Sequence, residues 1–262
     1  MRKCEQCQKH APLIHQPISY LNPVSSPWPF AQWGLDILGP FLRATGNRRF
    51  MLGVVDYFTK WVKAETLANI RDVDVKKFVW RKIVTRFGVS DSLISDNGLQ
   101  FDSKAFCAFC SDFGIKNGYS TATYPQSNGQ AEATNKTIVN ELKKRLDSVK
   151  GRWAKELPNV LWAYRTTPKR STGETLFSLT YGAEAMILAE VNLCSARVVG
   201  FDPAQNNGLM AKRLNWLEEC RESATIWLAE YQQKLARRYN RGVKTREFGT
   251  EDLVLRKVVG NM

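Results

Sequence analysis

Histidine is scarce in this 262-residue sequence, with His10 and His15 the only two. Both follow Cys4 and Cys7 at spacings that match no standard zinc finger, which excludes a self-contained finger of ordinary pattern. Cys4-Glu5-Gln6-Cys7 reads either as half of a zinc site, two thiolates for one tetrahedral ion, or as two plain thiols. A run of about 18 apolar residues is also missing, and neither terminus reads as a basic amphipathic helix, so the expectation is no membrane partner. Met1-Arg2-Lys3-Cys4 lacks the apolar stretch of a signal peptide, from which we expect a reducing intracellular setting and six unbridged cysteines. Acid is in short supply: 25 Asp and Glu face 38 Lys and Arg, giving a net charge of +13. That imbalance favours a polyanionic partner, nucleic acid first. A hydrophobic content of 44% excludes a disordered tail and allows one good core with appendages.

Along the chain, residues 1–16 hold the cysteine pair and 17–29 are Pro- and Ser-rich, a linker pattern. Strand-like runs follow at Gln32–Leu38, Phe50–Tyr57 and Thr59–Glu65, with Gly46-Asn47 as the turn of an antiparallel meander. Asp36 and Asp56 are its internal acids, and either could be structural. Asp72 reads as a helix N-cap, and Val75, Phe78, Val79, Ile83 and Phe87 recur at helical spacing until Gly88. Val89–Ser95 reads as a buried strand ending in Asp96. Phe101–Phe113 reads as a helix whose face of Phe106, Phe109, Cys110 and Phe113 makes Cys107 and Cys110 packing residues. A short strand at Ile115–Tyr119, a polar loop at Ser120–Gly129 and a helix at Gln130–Val149 follow. A further helix at Trp153–Tyr164 should bury Leu157, Leu161 and Trp162. The order of elements predicts an α/β fold, a mixed sheet with helices on both faces.

Everything turns on Tyr124-Pro125-Gln126-Ser127-Asn128-Gly129-Gln130-Ala131-Glu132. Its Pro and Asn-Gly pair read as breakers, which puts Glu132 in the first turn of the helix behind them. Between Asp96 and Glu132 lie 35 residues, and Asp36 sits inside the first strand. Two acids on strands and one at a helix start are a donor set for hard cations in phosphodiester chemistry.

These residues resemble the integrase of gypsy-type LTR retrotransposon polyproteins, within the retroviral integrase superfamily. The resemblance is carried by Trp33-Gly34-Leu35-Asp36, Val55-Asp56-Tyr57-Phe58-Thr59-Lys60-Trp61, Ser95-Asp96-Asn97-Gly98 with Phe101, the Tyr124–Lys136 stretch, and Tyr164-Arg165-Thr166-Thr167-Pro168. It implies a ribonuclease-H-like, mixed five-stranded sheet, an antiparallel meander plus two parallel strands, over residues 30–185. Asp36, Asp96 and Glu132 would be the catalytic triad and the ligands of two magnesium ions, for which manganese substitutes. Cys4 and Cys7 would be the second half of a His-His-Cys-Cys zinc module whose two histidines are missing here. Residues 186–246 would be a helical, basic linker region and 247–262 the truncated first part of a small DNA-binding barrel. The chain would thus be a fragment with both flanking domains cut short.

The implied activity is a polynucleotidyl transferase that trims element DNA ends and transfers the 3′-hydroxyl into target DNA, acting in the nucleus and in cytoplasmic element particles as a homo-oligomer. With two ions about 4 Å apart, one activates the attacking oxygen and the other stabilises the leaving one. Asn128 and Gly129 would lie in a mobile loop over the DNA end. Asn135, Lys136 and Lys143, at +3, +4 and +11 from Glu132, would face DNA with it. Lys234–Arg246, which includes Arg237, Arg238 and Arg241 and holds no acid, is either a phosphate grip or a connector. Two alternatives stand beside this reading: a hydrolytic nuclease of the ribonuclease H type, and a catalytically silent DNA-binding or assembly fragment.

Overall fold

Alternation in three successive strands dictates the centre of the molecule. In β1 (Gln32–Leu38) Trp33 and Leu35 point to one face, and in β2 (Phe50–Asp56) Leu52 and Val54 join them, while Met51 and Val55 point to the other. β2 is buried along nearly its whole length, as a strand covered on both faces must be. The computed structural model describes residues 26–96, 98–120, 126–145, 151–185, 200 and 202–241. Cys4, Cys7, most of the expected linker and the expected barrel strand lie outside the described residues.

β1 pairs antiparallel with β2, and β2 with β3 (Val62–Leu67). β4 (Ser92–Ser95) and β5 (Lys116–Tyr119) add on the other side of β1 in parallel, giving the order β3-β2-β1-β4-β5. This is the ribonuclease-H-like sheet expected above. Gly46 and Asn47 both take positive φ in the turn between β1 and β2, as the Gly-Asn pair foretold. β3 begins three residues later than expected because Asp56 to Lys60 close a tight turn instead of extending. Asp56 accepts from the Thr59 backbone N–H at 2.8 Å and its hydroxyl at 2.6 Å, and Lys60 takes φ 61°. β4 is shorter than Val89–Ser95, and Val89 is exposed. The backbone from Gly88, φ 88°, to Asp91 is spent leaving the preceding helix.

One face of the sheet is covered by α1 and α2. In α1 (Asp72–Val79) Val75, Phe78 and Val79 are buried, but Arg71, not Asp72, is the N-cap. The helix continues through a π-helical turn at Trp80–Val84, which keeps Ile83 in the core, and a last turn at Thr85–Phe87. α2 (Lys104–Asp112) is shorter than expected because Ser103 caps it, accepting from the Phe106 N–H at 3.1 Å. Phe106 and Cys110 are core, whereas Phe113 is partly exposed.

The opposite face is covered by α3 (Gln126–Arg145) and α4 (Trp153–Thr166), which bring Ala131, Ile138, Leu142, Trp153, Leu157, Val160 and Leu161 against Met51, Val55 and Val62. Trp162, expected in the core, is 45% exposed: Leu157, Val160 and Leu161 already fill the inward stripe, and Trp162 falls beside it. α5 (Leu176–Tyr181) is capped by Thr175 and ended by Gly182 in the left-handed region. α6 (Pro203–Asn240) packs against α5. Among the described residues no helix is long and apolar enough to cross a membrane.

Candidate active site

β1 and β4 run in parallel, and their pairing ends at Gly34 opposite Ile94. Two residues further along the chain in each case stand Asp36, still in β1, and Asp96, one residue past the end of β4. In a parallel pair, residues at equal steps from a matched pair lie side by side on one face, so the register itself brings these acids together. Their level is the carboxyl end of the parallel strands, where open α/β sheets form their crevices.

Asp36 is 8% exposed and faces α3. Its Oδ2 accepts from Asn135 Nδ2 at 3.0 Å, and Asn135 is fully buried. Across the ladder from Asp36 stands Gly53, and a Cβ built there would run into the Asn135 amide group, within 3.0 Å of its Cγ. The missing side chain is what lets α3 approach, a common reason for glycine inside a strand. Asn135 therefore corrects the expectation of a DNA contact. It shares the inward stripe with Ala131, Ile138 and Leu142, and its role is to hold Asp36.

α3 starts at Gln126, so Asn128 and Gly129 belong to a helix and not to a loop, and Glu132 lies in the second turn instead of the first. A glycine inside a helix costs about 1 kcal/mol. Burying Ala131, Ile138 and Leu142 on one stripe outweighs that cost. Glu132 is on the exposed side of the helix, 45% exposed, and pairs with Lys136 at 3.6 Å. Lys136 and Lys143 border an open groove of about 520 Å³ between α3 and Leu38–Phe41. Val139 lines the same groove and is partly packed against the core. Arg237, Arg238 and Arg241 are exposed at the end of α6, and no contact among the described residues joins them to the three acids.

Electrostatics ties the acids together. Burial raises the Asp96 carboxyl above its ordinary range, and the charges of Asp36 and, more weakly, Glu132 add to the rise, while a hydrogen bond from the Gly98 backbone opposes it. The donor set is all carboxylate oxygen, which suits hard divalent ions and no soft one. Among the described residues the three side chains are not gathered tightly enough to form a ready ligand cluster, and Glu132 is turned toward Lys136. The other buried acid, Asp56, has its pKa raised by burial against hydrogen bonds from Thr59 and Phe30, and it is a turn-former. Sequence reasoning passed over Gly53, although a glycine in the middle of Phe50–Asp56 signals a close approach.

The sheet order and the helices on its two faces define a ribonuclease-H-like fold. Residues 27–125 match the Integrase core domain family. The chain is 30% identical over 163 residues to the Gag-Pol polyprotein of Avian reticuloendotheliosis virus, covering 62% of this chain and 14% of that protein. It is 23% identical over 229 residues to the Retrovirus-related Pol polyprotein from transposon 412 of Drosophila melanogaster, covering 87% of this chain and 18% of that one. The chain thus spans less than a fifth of the length of these two relatives. A chain from the cryoEM structure of the simian T-cell lymphotropic virus intasome in complex with PP2A regulatory subunit B56 gamma shares the fold. There the TM-score is 0.57 at 20% identity, over 70% of this chain and 65% of that one.

Proposed function

We propose that this chain is the catalytic core of a gypsy-type retrotransposon integrase, which trims the ends of element DNA and transfers the new 3′-hydroxyl into a target duplex. The observation that carries the reading is the parallel β1/β4 register, which sets Asp36 beside Asp96 and within electrostatic reach of Glu132. Asp36, Asp96 and Glu132 would hold divalent magnesium, or manganese in its place, and such ions, when bound, activate an attacking oxygen and stabilise the leaving oxygen at phosphorus. Asn135 fixes the rotamer of Asp36 through its 3.0 Å hydrogen bond. Lys136 would exchange its Glu132 partner for a DNA phosphate, and Lys143, farther along the groove, would bind the next stretch of backbone. A second copy of the chain is the expected partner beside DNA, and the nucleus, where target DNA lies, is the expected place of action.

The test is joining of a labelled, pre-trimmed DNA end to a target duplex in magnesium and in manganese, wild type beside Glu132→Gln. Products longer than the substrate, lost in the variant whose DNA affinity is unchanged, are expected. Shortened products alone would replace this reading with the hydrolytic nuclease. Tight DNA binding with no product would leave the silent DNA-binding fragment.

A further inference from the structure

On the far side of α3 from the groove, a cavity of about 160 Å³ lies between the turn after β2, the loop that leads into α5, and α6. Three cationic side chains line it, Lys60, Lys169 and Arg221, and no Asp or Glu is among its lining residues. Each comes from a different part of the chain. Lys60 sits on the left-handed turn residue, with its ammonium donating to the Tyr57 carbonyl at 2.6 Å and to the Gln130 side chain. Arg221 reaches from α6 to the Leu179 carbonyl at 2.9 Å and the Thr180 carbonyl at 3.4 Å. Lys169 has its ammonium 3.4 Å from the centre of the Tyr164 ring.

Burying like charges around a common space is costly unless an opposite charge enters it. Burial brings both Lys60 and Lys169 down to a pKa of about 8, and it lowers Arg221 as well. The nearby acids, Asp56 for Lys60 and Glu218 and Asp56 for Arg221, offset this only in part, and none is among the causes acting on Lys169. Asp56 lies behind Lys60 with its oxygens taken by Phe30 and Thr59 and its own pKa raised, and Glu218 touches Arg221 from the solvent side at 3.9 Å. The cations are held in place by carbonyls and a ring, so little ordering is left to do when an anion arrives. The volume is on the order of five waters, enough for one tetrahedral oxyanion and too small for a nucleic-acid strand.

We propose that this cavity is an anion site that takes a single phosphate group, held by Lys60, Lys169 and Arg221 and separate from the carboxylate site. The phosphate comes either as a free ion or as the terminal group of a nucleotide, and this assignment does not depend on the activity proposed above.

Titration of the full chain with inorganic phosphate, followed by calorimetry at constant ionic strength against chloride, tests it. One saturable site is expected, weakened at least about tenfold in Lys169→Gln and largely retained in Lys169→Arg. Lys169 is the residue to change because its side chain packs on the Tyr164 ring, whereas those of Lys60 and Arg221 hold backbone carbonyls, and thermal melts verify that both variants fold. Lys136→Gln, in the groove, should leave the phosphate titration unchanged. A 5′-phosphorylated dinucleotide that competes assigns the site to a strand end, and one that does not assigns it to the free ion. Phosphate binding no better than chloride, or a loss in Lys136→Gln with none in Lys169→Gln, overturns the proposal.

Discussion

Asp36 and Asp56 stand in neighbouring strands, both within the protein and at opposite ends of the sheet, yet their surroundings are of opposite kinds. Asp56 accepts from Phe30 N–H, Thr59 N–H and the Thr59 hydroxyl, so its oxygens are saturated and the turn into β3 depends on them. Among the described residues Asp36 has one hydrogen-bond partner, Asn135, and its electrostatic neighbour is another carboxylate, Asp96. A buried acid ringed by donors serves the fold. One set among other acids is what the proposed cation site calls for.

Putting the same substitution at both positions separates these roles. Asp36→Asn should reduce DNA joining at least about a hundredfold, because it removes a metal ligand. Its stability should stay within about 0.5 kcal/mol of wild type, since the new amide oxygen can still accept from Asn135. Asp56→Asn should lower stability by about 2 kcal/mol or more in urea denaturation, because its amide must turn an N–H toward either Phe30 or Thr59. Equal stability losses in the two variants would erase the distinction. Gly53→Ala should come next, costing about 1–2 kcal/mol by overpacking against Asn135 and reducing joining beyond what unfolding explains.

The smallest effect should come from pH. The Asp96 carboxyl is raised above its ordinary 3.8, so its contribution to stability is complete below that value and is lost as pH climbs through the raised one. In cation-free buffer, wild type should therefore lose thermal stability relative to Asp96→Asn as pH rises across the carboxylate range. Magnesium should reverse the trend in wild type only. A gap between the two proteins that does not change with pH would count against the acids being electrostatically joined.

Much of the fold was legible in the sequence. The meander, the Gly46-Asn47 turn, and strands ending in acids followed from alternation and turn chemistry, which are local rules. The start of α3 was misread because Asn128-Gly129 looks like a breaker, and only the stripe of Ala131, Ile138 and Leu142 packed on a distant sheet makes a helix there worthwhile. Asn135 was misread for a related reason. Three residues after Glu132 looks like the same face, but the helix is rotated so that position 135 points at the sheet and 132 at solvent. Asp36 and Asp56 could not be told apart from composition or spacing, because what distinguishes them is who their neighbours are across strands. Lys60 and Lys169, 109 positions apart in the chain, gave no local sign that they share a cavity.

The bare Cα of Gly53 can also be viewed as a question of mechanical tolerance. A methyl group added there would stand about 1.5 Å proud of the sheet, the length of one carbon–carbon bond, and α3 would have to ride up over it. Catalytic constellations work within about 0.5 Å. The helix carries both the amide that steadies Asp36 and the carboxylate of Glu132, so a single hydrogen atom on β2 acts as the shim that sets the gauge between two elements far apart in the chain.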